Sequence, residues 1–98
     1  MFKRKIKQIT IEQAEELAAR AFYLISKDED KLNAFLMQSG LELENLRESA
    51  SSEHFLESVM DFMTSSDALV LEFCQQEGLA PETLLIAAQK IKRYKHLD

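Results

Sequence analysis

One cysteine, two histidines and a run of three acids are the residues here whose types could do chemistry. Cys74 with His54 or His96 could form a nucleophilic pair, the imidazole taking the thiol proton. Cys74, however, lies between Phe73 and Gln75 in an apolar stretch, and is expected to be a buried small hydrophobe. Asp28, Glu29 and Asp30 could hold a hard cation. A calcium loop also needs further acidic ligands, a mid-loop glycine and a closing Glu, and here position 33 is Asn and position 39 is Ser. The run is expected to serve a helix N-terminus, where negative charge suits the dipole. His54 and Glu57 have the i, i+3 spacing of di-metal bundles, which need that motif twice plus two more carboxylates. Two glycines standing singly cannot make a phosphate-cradling loop. No enzymatic activity, no cofactor and no metal is expected.

Charge is more informative. The 98 residues carry a net charge of −5, unevenly spread. Residues 1–9 hold Lys3, Arg4, Lys5 and Lys7 and no acid. Residues 10–88 hold four basic and sixteen acidic residues, a balance of −12. Residues 89–98 hold Lys90, Lys92, Arg93 and Lys95 against Asp98. An acidic body thus has two basic tails. Glu53, Glu57 and Asp61 stand one turn apart, and each like-charge i, i+4 pair costs ~0.2–0.5 kcal/mol in a helix. Such a stripe suits a solvated face, or one against which a basic segment lies. That segment could be the chain's own tail, a twofold mate's tail or a partner.

The elements that position these residues are helices. Gly and Pro are few, and Leu, Ala, Glu and Lys are plentiful. Helix one is expected over 11–25, with Ile11, Ala14, Leu17, Ala18, Ala21, Phe22 and Ile25 on one face and Thr10 with Gln13 as a capping box. Ser26 with Glu29 reads as a second box opening helix two, whose stripe is Leu32, Phe35 and Leu36 and which Gly40 stops. Helix three spans about 42–49. Ser51 and Ser52 cap helix four, about 53–63, with Phe55, Leu56, Val59, Phe62 and Met63 inward. Helix five, about 68–77, ends at Gly78, and helix six runs from Pro81 through Leu84, Ala87, Ala88 and Ile91 toward Tyr94. Helical-wheel placement leaves Tyr23, near Glu16 and Arg20, and Ile86 opposite the apolar faces. The expected fold is all-α, a compact bundle of about six helices.

The two glycines lie 38 positions apart, and the similarity extends around them. Phe35 matches Phe73, Gly40-Leu41 matches Gly78-Leu79, Glu44 matches Glu82, Leu46 matches Leu84 and Ala50 matches Ala88. Two three-helix repeats about a pseudo-twofold axis are expected: 10–50 and 51–93, between the basic N-terminal tail 1–9 and the C-terminal tail 94–98. Together, 1–98 read as a single helical domain.

The segments LMQSGLELENLR (36–47) and FMTSSDALVLEFCQQEGLAP (62–81) give the chain a family likeness. It resembles the domain-of-unknown-function family numbered 3572, over about 17–88. The pieces that carry the resemblance are Ser26 to Glu29, Gly40-Leu41, Phe73-Cys74 and Gly78-Leu79-Ala80-Pro81. In that family the turn after the first Gly-Leu often carries a proline, and Leu43 stands there in this chain. The resemblance implies a small helical protein in a bacterial cytoplasmic setting, and no functional residue.

A lone cysteine fits a reducing, cytoplasmic compartment. Apolar runs such as 68–71 are far too short for a membrane span, and Gln8, Thr10, Glu12 and Gln13 interrupt any secretory leader. No membrane partner is expected. The leading reading is a non-enzymatic protein–protein interaction module of adaptor or regulatory kind, monomer or homodimer. Its contact surface is drawn from Lys3, Arg4, Lys5, Lys7, Tyr23, Glu53, Glu57, Asp61, Ile86, Lys90 and Arg93. The alternative is a weak nucleic-acid-binding accessory protein that uses its basic tails and a degenerate helix-turn-helix made by helices five and six. A recognition helix reads bases with its N-terminal residues, and here those are Glu82 and Thr83, of which Glu82 would face phosphates.

Overall fold

Alanine sets the centre of the fold. Ala14, Ala18 and Ala21 recur on one face of the first helix, α1 (Ile11–Ser26), and all three are fully buried. Small side chains let neighbouring helices approach closely, and α1 packs against three others: α2 (Glu29–Ser39), α4 (Glu53–Thr64) and α6 (Pro81–Lys95). α4 also packs against α6, so α1, α4 and α6 enclose the core, with α2 and α5 (Asp67–Glu77) closing its sides. The computed structural model describes residues 9–49 and 52–95. Lys3, Arg4, Lys5, Lys7, Ala50, Ser51 and His96 lie outside the described residues, as do most of the basic tails. Among the described residues every regular element is helical.

Four rings tie α1, α2 and α4 together. Phe35 of α2 meets Phe22, Phe55 and Phe62 edge-on, with centroids 5.8, 6.0 and 5.6 Å away, and Phe22 meets Phe55 at 5.0 Å. Edge-to-face contact sets the positive ring edge against the negative face and adds to the burial itself. Phe35 is the only fully buried residue of α2 and its chief anchor to the body, with Leu32 and Leu36 partly buried against the core beside it.

The helix starts follow local chemistry. Thr10 and Gln13 form the expected capping box: the Gln13 N–H donates to Thr10 Oγ1 at 3.0 Å and the Thr10 N–H to Gln13 Oε1 at 2.9 Å. Ser52 accepts from the Phe55 N–H at 3.1 Å and Ser66 from the Leu69 N–H at 3.3 Å. The second box is corrected. α1 runs on through Ser26, whose hydroxyl donates to the Tyr23 carbonyl, and α2 is capped by Asp28 instead. With only residues 27–28 between the helices, the Asp28 carboxylate stands next to the orphan N–H groups of Asp30 and Lys31 and takes both. Gly40 (φ 77°) and Gly78 (φ 71°) end α2 and α5 in the left-handed region.

The expected helix over 42–49 is a 3-10 turn, Leu43–Asn45, running into a single helical turn, α3 (Leu46–Ser49). Among the described side chains of this segment, Leu46 is the one apolar residue that packs against the core. One anchor is too little to hold a longer helix, since helix stability in proteins comes mostly from a packed face. The described residues thus form five helices of eleven residues or more, joined by short connections, with this turn between α2 and α4.

Candidate functional site

Two surfaces gather charged and apolar side chains. The first lies along the outside of α1, where Glu16, Arg20, Tyr23 and Lys27 fall at spacings of four, three and four and share one stripe. Arg20 joins this stripe to α5. Its Nη2 bonds Glu16 Oε2 at 3.0 Å, its Nε bonds the same oxygen at 3.3 Å, and its Nη1 reaches Glu77 Oε1 at 3.1 Å. The hydrogen bond to Glu16 and then that to Glu77 raise the guanidinium further above its ordinary value. One turn on, Tyr23 is 62% exposed, and the Lys27 ammonium sits 4.9 Å from its ring centroid. A cation over the ring face attracts its quadrupole and steadies this largely exposed side chain.

A groove of about 310 Å³ runs beside the Arg20 clamp, floored by Ile9, Leu17, Leu79 and Thr83, with Gln13, Glu16 and Glu77 on its rim. A second hollow beside the clamp, of about 490 Å³, is lined by Ala19, Tyr23 and Gln76. Arg20, Glu16 and Glu77 border both, so one ion-paired bridge separates an apolar groove from an aromatic platform.

The second surface lies between α4 and α6. A groove of about 290 Å³ is lined by Asp61 and Thr64 from α4 and by Leu85, Ala88, Gln89 and Lys92 from α6. Lys92 Nζ stands 3.8 Å from Asp61 Oδ1 across it. The acidic stripe of α4 therefore has a base of the chain's own last helix beside its final member. Glu57 of the same stripe is half-buried, and Glu53 is the first residue of α4.

The remaining sequence-derived residues fall as follows. Lys90 and Arg93 are exposed on α6. Ile86 is half-buried, and the residue standing out from α6 is Leu85, at 49%. The cause is Thr83, which is 6% exposed and turns the buried face of α6 toward itself, moving Ile86 to the margin and Leu85 outward. Buried Thr83 cannot face a base edge either, so of Glu82 and Thr83 only Glu82 lies on the surface. Tyr23 was legible from the wheel of α1, and the spacing of Glu16, Arg20, Tyr23 and Lys27 carries the stripe. The reach of Arg20 to Glu77 is not legible, because it links positions 57 apart.

The acids at the start of α2 serve the helix. Asp28 caps it and pairs with Lys31 Nζ at 3.1 Å, while Lys31 also reaches Glu72 of α5 at 3.6 Å. The hydrogen bond from the Lys31 side chain, followed by that from its backbone, lowers the Asp28 carboxyl below the usual range. The Asp28 bond in turn raises Lys31. Cys74 is buried, and burial pushes its thiol up, opposite to the shift that arms a nucleophile. Among the described residues no three His, Cys, Asp or Glu side chains gather as a metal site, and no helix is long and apolar enough to cross a membrane.

No curated protein and no solved structure matches the chain. One family model does match, that of a protein of unknown function (DUF3572), and its match starts with the first residue of α1, takes in both glycine-stopped helices and ends two residues short of the end of α6. The caps of α2, α4 and α5, both glycine stops and the buried core all lie within those residues, 11–93, and the chain belongs to the DUF3572 family.

Proposed function

We propose that the protein is a non-enzymatic protein–protein interaction module, an adaptor or regulatory subunit, that binds its partner through the outer face of α1. One observation carries the reading: Tyr23 is exposed yet held by Lys27, next to an Arg20 already fixed between Glu16 and Glu77. Tyrosine and arginine are among the residues enriched at interface hot spots, and side chains set in place beforehand lose little entropy on binding. The apolar groove beside the clamp gives such a partner a floor to bury.

The same reading takes the setting to be the bacterial cytoplasm, supported by the single, buried cysteine and by the family likeness. It takes the fold as six helices in two three-helix units about a pseudo-twofold axis. Supporting this are the two-residue breaks at 27–28 and 65–66 and the left-handed glycines closing α2 and α5.

The test is a quantitative pull-down from bacterial extract, with and without nuclease, comparing intact protein, Tyr23→Ala and a variant lacking residues 1–9. A stoichiometric protein that survives nuclease and is lost with Tyr23→Ala is the expected result. Retention of that protein by Tyr23→Ala would remove α1 as the contact. Recovery of nucleic acid, or of proteins that vanish with nuclease, would favour the accessory nucleic-acid reading and the basic tails as its site.

A further inference from the structure

The groove between α4 and α6 has rims of opposite charge. Asp61 stands on the α4 rim and Lys92 on the α6 rim, each with more than half of its side chain exposed. Between and beside them are uncharged residues: Thr64, Ala88, Gln89 and the half-exposed Leu85. A uniformly acidic or basic ligand laid along this groove would meet one rim of its own sign. A second copy would not. An isologous contact places the same patch on both sides of a twofold axis, so the patch must complement itself, and a face with acid on one rim and base on the other does so.

A twofold axis running along the groove, between its rims, lays the α4 rim of each copy on the α6 rim of the other. Asp61 of each copy then faces Lys92 of both, in a square of alternating charge. Leu85 of each copy is covered by the other's α4 rim beside Thr64. We infer that the occupant of this groove is a second copy of the chain, held in an isologous dimer through α4 and α6. Exposed ion pairs add little affinity singly, but like charges brought together are strongly disfavoured, so the charged rims set the register and the burial of Leu85 supplies the attraction. This surface is separate from the Tyr23 face of α1, and the two readings stand or fall separately.

Sedimentation equilibrium of the full chain over a concentration series, at low and high salt, tests the inference. The expected result is a monomer–dimer equilibrium that weakens as salt is added. Leu85→Glu removes the dimer while far-UV circular dichroism stays that of the intact fold, because Leu85 is only partly covered in the monomer. Lys92→Glu sets acid against acid and weakens association by about tenfold or more. Joining it to Asp61→Lys restores the alternation and the dimer. A monomer mass at every concentration overturns the inference, and so does a dimer that persists in both Leu85→Glu and Lys92→Glu. Neither outcome touches the Tyr23-dependent partner, which the pull-down reads on its own.

Discussion

Arg20 of α1 and Glu77 of α5 meet at 3.1 Å although 57 positions separate them in the chain. Glu77 is the less exposed of the two, with only 18% of its side chain accessible, against 54% for Arg20. The asymmetry decides what each substitution does. Arg20→Ala leaves a largely covered carboxylate facing its groove without this guanidinium, whereas Glu77→Gln leaves Arg20 with Glu16 and with solvent. Arg20→Ala is expected to lower the melting temperature by a few degrees, and Glu77→Gln by less. Thermal melts of both variants at low and high salt check this. Equal effects would mean that the clamp acts as an ordinary surface pair.

The aromatic cluster makes a larger claim. Phe35 is fully buried and touches three other rings. Phe35→Ala removes the anchor of α2 and is expected to cost ~3–5 kcal/mol in denaturant titrations. That is a large part of the ~5–15 kcal/mol that holds a domain together. Phe35→Leu keeps much of the volume and loses the edge-on ring contacts, so its loss is smaller. Met37, two residues on and 84% exposed, is the control, and Met37→Ala is expected to stay within ~0.5 kcal/mol. A similar small effect at Phe35 would mean that α2 is fastened elsewhere.

What could be read in advance divides by range. Thr10 with Gln13, Ser52, Gly40, Gly78 and Pro81 each act on backbone within a few residues, and each stands where its chemistry placed it. Ser26 misled because two capping side chains stood two residues apart, and only the tertiary path of α1 decides which is used. Ile86 misled because Ala87 and Ala88 are small and fix the phase of α6 weakly; buried Thr83 settled it. The stripe from Glu16 to Lys27 was legible in part, through Tyr23. Arg20 with Glu77, Lys31 with Glu72 and Asp61 with Lys92 join separate helices, and no local spacing encodes them.

Gly40 and Gly78 make a clean test of conformational strain. An added Cβ would meet no atom within 4 Å at either position, so crowding does not contribute. What remains is the left-handed backbone, φ 77° and 71°, which costs an L-residue with a Cβ ~1–2 kcal/mol. Gly40→Ala and Gly78→Ala are each expected to destabilise by that amount in chemical denaturation. Asn tolerates the same region and is expected to cost less at both sites. Because the two positions end separate helices, the double variant is expected to show near-additive loss. A neutral Gly78→Ala would mean that the α5 terminus relaxes into another turn.

Asp28 gives stability an acid limb. Its carboxyl is held below the usual range in the folded protein by the bond from Lys31 and by the backbone N–H groups that it caps. The unfolded chain therefore takes up the proton first as pH falls. The contribution is complete above the ordinary carboxylate range, and disappears as pH drops through that range to the folded value. Lys31, raised by the same pair, has the opposite sign: its contribution is complete below the ordinary lysine value and is lost as pH rises through the folded one. Asp28→Asn separates the two roles of the residue. Asparagine still caps a helix but carries no charge, so the variant is expected to keep most of its stability near neutrality while the acid limb flattens. Asp28→Ala loses the cap as well, and should be less stable at every pH. Denaturation midpoints from the acid range to neutrality read both effects, and an acid limb unchanged in Asp28→Asn would assign it to other carboxylates.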